Sequence, residues 1–108
     1  MRGENVSAFE VEKVVTEFGT VDDCAIVGVP AELGEEDIKA YVQPAEGQTI
    51  DPQEVADFCT KRLAYFKVPR FVEFVTEFPR TITKQEIERH QLRDRGINNA
   101  WDRDAHKL

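Results

Sequence analysis

The sequence predicts an α+β fold: a small three-stranded sheet sandwiched with about three helices, in the order αββαβα. Three observations predict it. Two stretches with helix-start signatures carry apolar residues at helical spacing, three short β-branched or aromatic runs stand between turn residues, and the connections are short. A chain of 108 residues has room for one such core. The expected organisation is a single domain over 1–108, with a globular core at 1–96 and a polar tail at 97–108.

Each element has a local reason. From Ser7 to Phe18, the residues Val11, Val14, Val15 and Phe18 form one apolar stripe, and Gly19 follows as a stop. Ser7 with Glu10 three positions later is a capping box, which satisfies free N–H groups at a helix start. The run from Asp23 to Val29 is β-branched and apolar on both faces, so it reads as an inner strand ended by Pro30. After an acidic loop, Ile38 to Val42 is a second strand, and Pro44 to Gly47 a turn. Asp51-Pro52-Gln53-Glu54 opens a second helix, with a capping acid followed by proline at the first helical position. Its stripe is Val55, Phe58, Cys59 and Leu63. Pro69 closes that region, and Arg70 to Val75 alternates as a third strand. A loop at 77–81 leads to a final helix, Lys84 to Arg95, whose chief apolar positions are Ile87 and Leu92.

Composition narrows the function. The net charge is −7, divided unevenly: residues 1–60 hold 14 acids and 3 bases, residues 61–108 hold 7 acids and 11 bases. No sustained basic stripe is present that could track a phosphate backbone, so nucleic acid is not an expected partner. The basic half suits a small anion such as a nucleotide, or is a set of solvated charges. No run approaches the ~18 apolar residues of a membrane span, and the polar run after Met1 is unlike a secretory leader. Cys24 and Cys59 sit among apolar neighbours and read as buried free thiols in a reducing compartment. A cytoplasmic location is expected, and two cysteines with two histidines, all isolated, predict no metal site.

Five collinear segments carry a resemblance. RGENVSAFEVEKVV, AIVGVPAELGEEDIKAYV, DFCTKRLAYFKVPRFVEFVTEFPRT, KQEIERHQLRDRGI and the ending AWDRDAHKL together cover essentially the whole chain. They resemble the C-terminal domain of AMP-forming acyl-CoA synthetases, the adenylate-forming enzymes, and in particular bacterial crotonobetaine/carnitine-CoA-ligase-type members. The resemblance implies a lid on a two-step ligase. A carboxylic acid reacts with ATP to give acyl-AMP and pyrophosphate; the lid then swings, and the CoA thiol attacks the adenylate. It implies a large N-terminal domain as partner, which would hold Mg2+, most of the ATP site and the acyl pocket. This chain alone is then expected to bind no cofactor and to be inert. The alternatives are a free-standing binding or regulatory module, or a lid whose enzyme serves an acceptor other than CoA.

The resemblance also points to residues. The family's adenylation step uses a lysine in a Pro-Arg-Thr-x-Thr-Gly-Lys-like loop, where a compact charge faces the carboxylate and α-phosphate. Here the loop reads PRTITKQEIERHQLR. Counting forward from Pro79 places the family lysine at Gln85, and counting back from Leu92-Arg93 places it at Glu86. The lysine within reach is Lys84, the catalytic candidate; otherwise Thr83 and Glu86 are one more capping box, with Lys84 an exposed cation. Arg2, Gly3, Glu4 and Asn5 form the segment implied to face the thioester-forming site, or an ordinary lead-in to the first helix. Lys67 and Arg70 are candidates for CoA phosphates or for the large domain, or basic residues complementing a helix end.

Overall fold

The structure, a computed structural model, describes residues 7–30 and 36–106. In chain order the elements are α1 (Ala8–Thr16), β1 (Val21–Pro30), β2 (Glu36–Pro44), α2 (Pro52–Thr60), β3 (Phe71–Phe74), α3 (Arg89–Asp94) and β4 (Trp101–Asp102). Single 3₁₀ turns lie at Tyr65–Lys67 and Arg103–His106. Both anticipated N-caps form. The Ser7 hydroxyl accepts from the Glu10 N–H, and the Asp51 carboxylate accepts from the Gln53 N–H at 2.9 Å.

The sheet order is β1-β2-β3-β4. β1 and β2 are antiparallel, with Ile26 opposite Ala40; β2 and β3 are parallel, as the α2 crossover between them requires; β3 and β4 are antiparallel. The sheet thus has four strands, one more than expected. The fourth arises in the tail, where Trp101 pairs with Val72 and Asp102 with Phe71.

β1 is an edge strand, not an inner one. Its two-sided apolar character has another cause: both of its faces are covered. Cys24 and Ile26 join Val11, Val15, Val55 and Cys59 beneath α1 and α2. Ala25, Val27 and Val29 face the other way, onto Tyr41, Phe71, Phe78 and Leu92. Two donors on its outer edge are taken by side chains. The Ile26 N–H donates to Glu12 Oε2 and the Cys24 N–H to Asp23 Oδ1, each at 2.8 Å. Glu12 also receives two hydrogen bonds from the Arg89 guanidinium, so one carboxylate links α1, β1 and α3.

The last helix is shorter than the sequence suggests. Residues 84–88 are not helical, because Ile87 pairs across an antiparallel bridge with Arg80. Residues 79–88 are a hairpin instead. Its strands are joined by Glu88 N–H to Pro79 O and Thr81 N–H to Glu86 O, both 2.8 Å.

Candidate active-site hairpin

Pro79 and Arg80 leave the body of the domain just after Phe78, which is buried against Leu92 and Tyr41 in the second apolar cluster. Between the paired residues Thr81 and Glu86 lie four turn residues, Ile82 to Gln85. The Gln85 N–H donates to Thr81 O at 3.0 Å, and the Glu86 N–H to the Thr81 hydroxyl at 3.2 Å. Gln85 has φ +56°, the left-handed conformation that glycine adopts without steric cost. Such a residue commonly ends a short hairpin loop before the returning strand begins. Lys84 is exposed at the tip, and Ile82 beside it is 92% exposed. One side chain ties this tip to the sheet. The Arg80 guanidinium donates to Gln85 O within the turn and to Asp23 Oδ2 on β1, both at 3.0 Å.

The other candidates lie elsewhere. Arg2, Gly3, Glu4 and Asn5 fall outside the described residues. Lys67 ends the 3₁₀ turn that follows α2, and its ammonium pairs with Glu10 Oε1 on α1 at 3.0 Å. Tyr65 in the same turn is 85% exposed. Arg70 stands just before β3 and is largely buried, with three carboxylates around it. It reaches Asp37 at 2.8 Å, both oxygens of Asp102 at 3.0 and 3.1 Å, and Asp104 at 3.5 Å. Burial alone would raise the Asp102 carboxyl. The hydrogen bonds and charge of Arg70, with the Asp104 N–H and Arg103, outweigh burial and hold it below the ordinary carboxylate range. The hairpin, Lys67 and Arg70 thus belong to three separate stretches of the chain.

A second buried cation was not legible as such. Lys39, at the centre of β2, has no solvent exposure, and its three ammonium donors are met by Glu73 Oε1 at 2.7 Å, Gly96 O at 2.8 Å and Ile97 O at 3.0 Å. The ammonium also lies 4.2 Å from the Tyr41 ring centre, and the Tyr41 hydroxyl donates to Leu92 O at 2.8 Å. Its one sequence signal is a lysine inside an apolar strand run. Cys24 and Cys59 are buried free thiols. Burial pushes the Cys24 thiol well above its ordinary value, assisted by the Glu12 charge, and pushes Cys59 up to about 11. Neither is an activated nucleophile.

The model for the AMP-binding enzyme C-terminal domain matches residues 10–85. The chain belongs to this family. The match begins in α1 and ends inside the turn that carries Lys84, so the rest of the hairpin, α3 and β4 lie beyond it. This AMP-binding enzyme C-terminal domain is 38% identical over 88 residues to the crotonobetaine/carnitine-CoA ligase of Proteus mirabilis (strain HI4320), covering 82% of this chain and 17% of that one. Among solved structures it is similar to the anthranilate CoA ligase AuaEII in complex with anthranoyl-AMP, with a TM-score of 0.77, 35% identity, and coverage of 82% of this chain and 18% of that one. It is also similar to the amide bond synthetase McbA from Marinactinospora thermotolerans, with a TM-score of 0.77, 34% identity and the same coverage. The chain therefore spans 17–18% of the length of these relatives. No described helix is long and apolar enough to cross a membrane.

Proposed function

We propose that this domain is the lid of a cytoplasmic acyl-CoA ligase and works against a large N-terminal domain of the same protein. In the first half-reaction a carboxylate oxygen attacks the α-phosphorus of ATP and pyrophosphate leaves. In the second, the CoA sulfur attacks the acyl carbon and AMP leaves. One observation carries the reading: a family domain that spans less than a fifth of its relatives' length holds an ordered hairpin with an exposed lysine at its tip. The lining of an ATP or acyl pocket would come from the larger domain. Mg2+ would be held there too.

The geometry of the turn supports an assignment of its residues. Gln85 takes the left-handed conformation expected of the family glycine, and Glu86 follows it in register with Thr81. The two counts differ by one because this loop is one residue longer than the family pattern; the added residue then lies within the turn, and Glu86 stands where the family lysine would. Lys84 is the cation on the turn, and we assign it the neutralisation of negative charge as the carboxylate meets the α-phosphate. Lys67, part-exposed and paired with a half-exposed carboxylate, can exchange Glu10 for a CoA phosphate. Arg70 is engaged by three carboxylates, so its part is to hold the fold. Arg2, Gly3, Glu4 and Asn5 are assigned to the thioester-forming site on the resemblance of their segment alone. A carnitine-like acid is favoured by the ligases of that name, and an acceptor other than CoA by the likeness to the amide bond synthetase McbA.

Lys84→Ala in the intact protein tests this. Adenylation, read as pyrophosphate release, should fall far more than thioester formation from pre-formed acyl-adenylate. Equal losses in both, or no loss, would remove Lys84 from the chemistry. The altered turn also leaves room for a stand-alone regulatory module. The native polypeptide's size in source cells decides between them: a band near 12.4 kDa would favour the module.

A further inference from the structure

We infer that Arg80 is a positioning residue for the lid's first half-reaction, acting through its bridge between the Lys84 turn and Asp23. The inference rests on the ligase reading above. A two-stranded hairpin is marginally ordered by itself. Here the hairpin is anchored at its base by buried Phe78, while Ile82, Thr83, Lys84 and Gln85 are all exposed. Among the described residues, the tip is tied to the sheet by a single relay. Arg80 Nη1 grips the Gln85 carbonyl, and Arg80 Nη2 grips Asp23 Oδ2. Asp23 is itself oriented, because its other oxygen accepts the Cys24 N–H on β1. A planar guanidinium suits this relay, since its two terminal nitrogens reach two acceptors in a fixed geometry.

The partners are 36% and 37% accessible, so the pair is a weak source of stability. Its effect on aim is of another order. Misplacing a reacting group by about 1 Å can cost about 100-fold in rate. A relay that hardly matters to folding can therefore matter greatly to Lys84.

Two measurements test this, on Arg80→Met, Asp23→Asn and Arg80→Lys. The first, in this chain, is amide exchange at Gln85 and Glu86, both hydrogen-bonded within the turn. Arg80→Met and Asp23→Asn should each speed exchange there by about 10-fold while leaving β1 and β2 unchanged, and Arg80→Lys should restore part of the protection, the ammonium grasping one acceptor at a time. Unchanged exchange at Gln85 and Glu86 would overturn the inference. The second, in the full-length protein, is the split between half-reactions. Arg80→Met should lower kcat for pyrophosphate release by about 10- to 100-fold, leave KM for ATP near wild type, and spare thioester formation from acyl-adenylate. Equal loss in both half-reactions, or none, would likewise overturn it. A wild-type protein that releases no pyrophosphate would refute the ligase reading instead, and the exchange measurement would still decide whether Arg80 orders the turn.

Discussion

Replacing Arg70 with methionine separates its two candidate roles, phosphate ligand and internal clasp. Its side chain is 15% accessible and Asp37 is 7% accessible, whereas Asp102 and Asp104 keep 25% and 35%. Removing one partner of a buried pair costs roughly 3–5 kcal/mol, because the remaining charge loses its compensation. Water still reaches two of the three carboxylates, so the lower end applies, about 3 kcal/mol. For a domain of this size that is a fall in Tm of roughly 12–24 °C. Thermal unfolding followed by circular dichroism reads it directly, with Lys67→Met as the comparison. The Lys67–Glu10 pair is far more exposed, and its loss should cost less than about 1 kcal/mol. A pH series adds a second check. The folded Asp102 carboxyl lies below its ordinary value, so its contribution is complete above the unfolded pKa of about 3.9 and fades as pH falls through the folded value. The gap between wild type and Arg70→Met should therefore narrow as the solution is acidified below about pH 4. A stability loss under about 1 kcal/mol at neutral pH would refute the clasp and return Arg70 to the list of anion contacts.

Other substitutions probe the turn and the tail. Gln85→Gly should stabilise the domain by up to about 1 kcal/mol by relieving the left-handed backbone at φ +56°, while Gly96→Ala at φ +64° should cost about 1 kcal/mol; urea midpoints compare them. Lys39→Met should destabilise by about 3–5 kcal/mol, because Glu73 loses its buried partner and two carbonyls lose their donor. Hydrogen exchange should then show the segment after α3 loosening first. At pH 8 the two cysteines should resist a thiol reagent in the folded chain, and both should react in urea, since burial disfavours each thiolate.

Much of this fold is written locally. The caps Ser7 and Asp51 and the stripes through Val11, Val15, Val55 and Cys59 define α1 and α2, because each signal is complete within a dozen residues. The misses are all non-local. Thr83 and Glu86 have the spacing of a capping box, but the same threonine-rich stretch closes a hairpin once Ile87 can pair with Arg80. β4 is a two-residue strand, and what places it is Arg70, more than thirty residues earlier, gripping Asp102. Lys39 shows only as a lysine inside an apolar strand run, and its partners, Glu73 and the carbonyls of Gly96 and Ile97, lie more than thirty residues away. Of the candidate site, the hairpin's motif was legible in the sequence. The turn geometry and the Arg80–Asp23 relay were not, because both depend on where β1 lies.

The outer edge of β1 bears on how this domain avoids pairing with another chain. An open strand edge is a template on which another chain can add, and from there domains swap or aggregate. Glu12 and Asp23 occupy the Ile26 and Cys24 N–H groups that a newcomer would need, and Pro30 offers none. With two of those donors held by its own carboxylates, this edge is a poorer template for another chain.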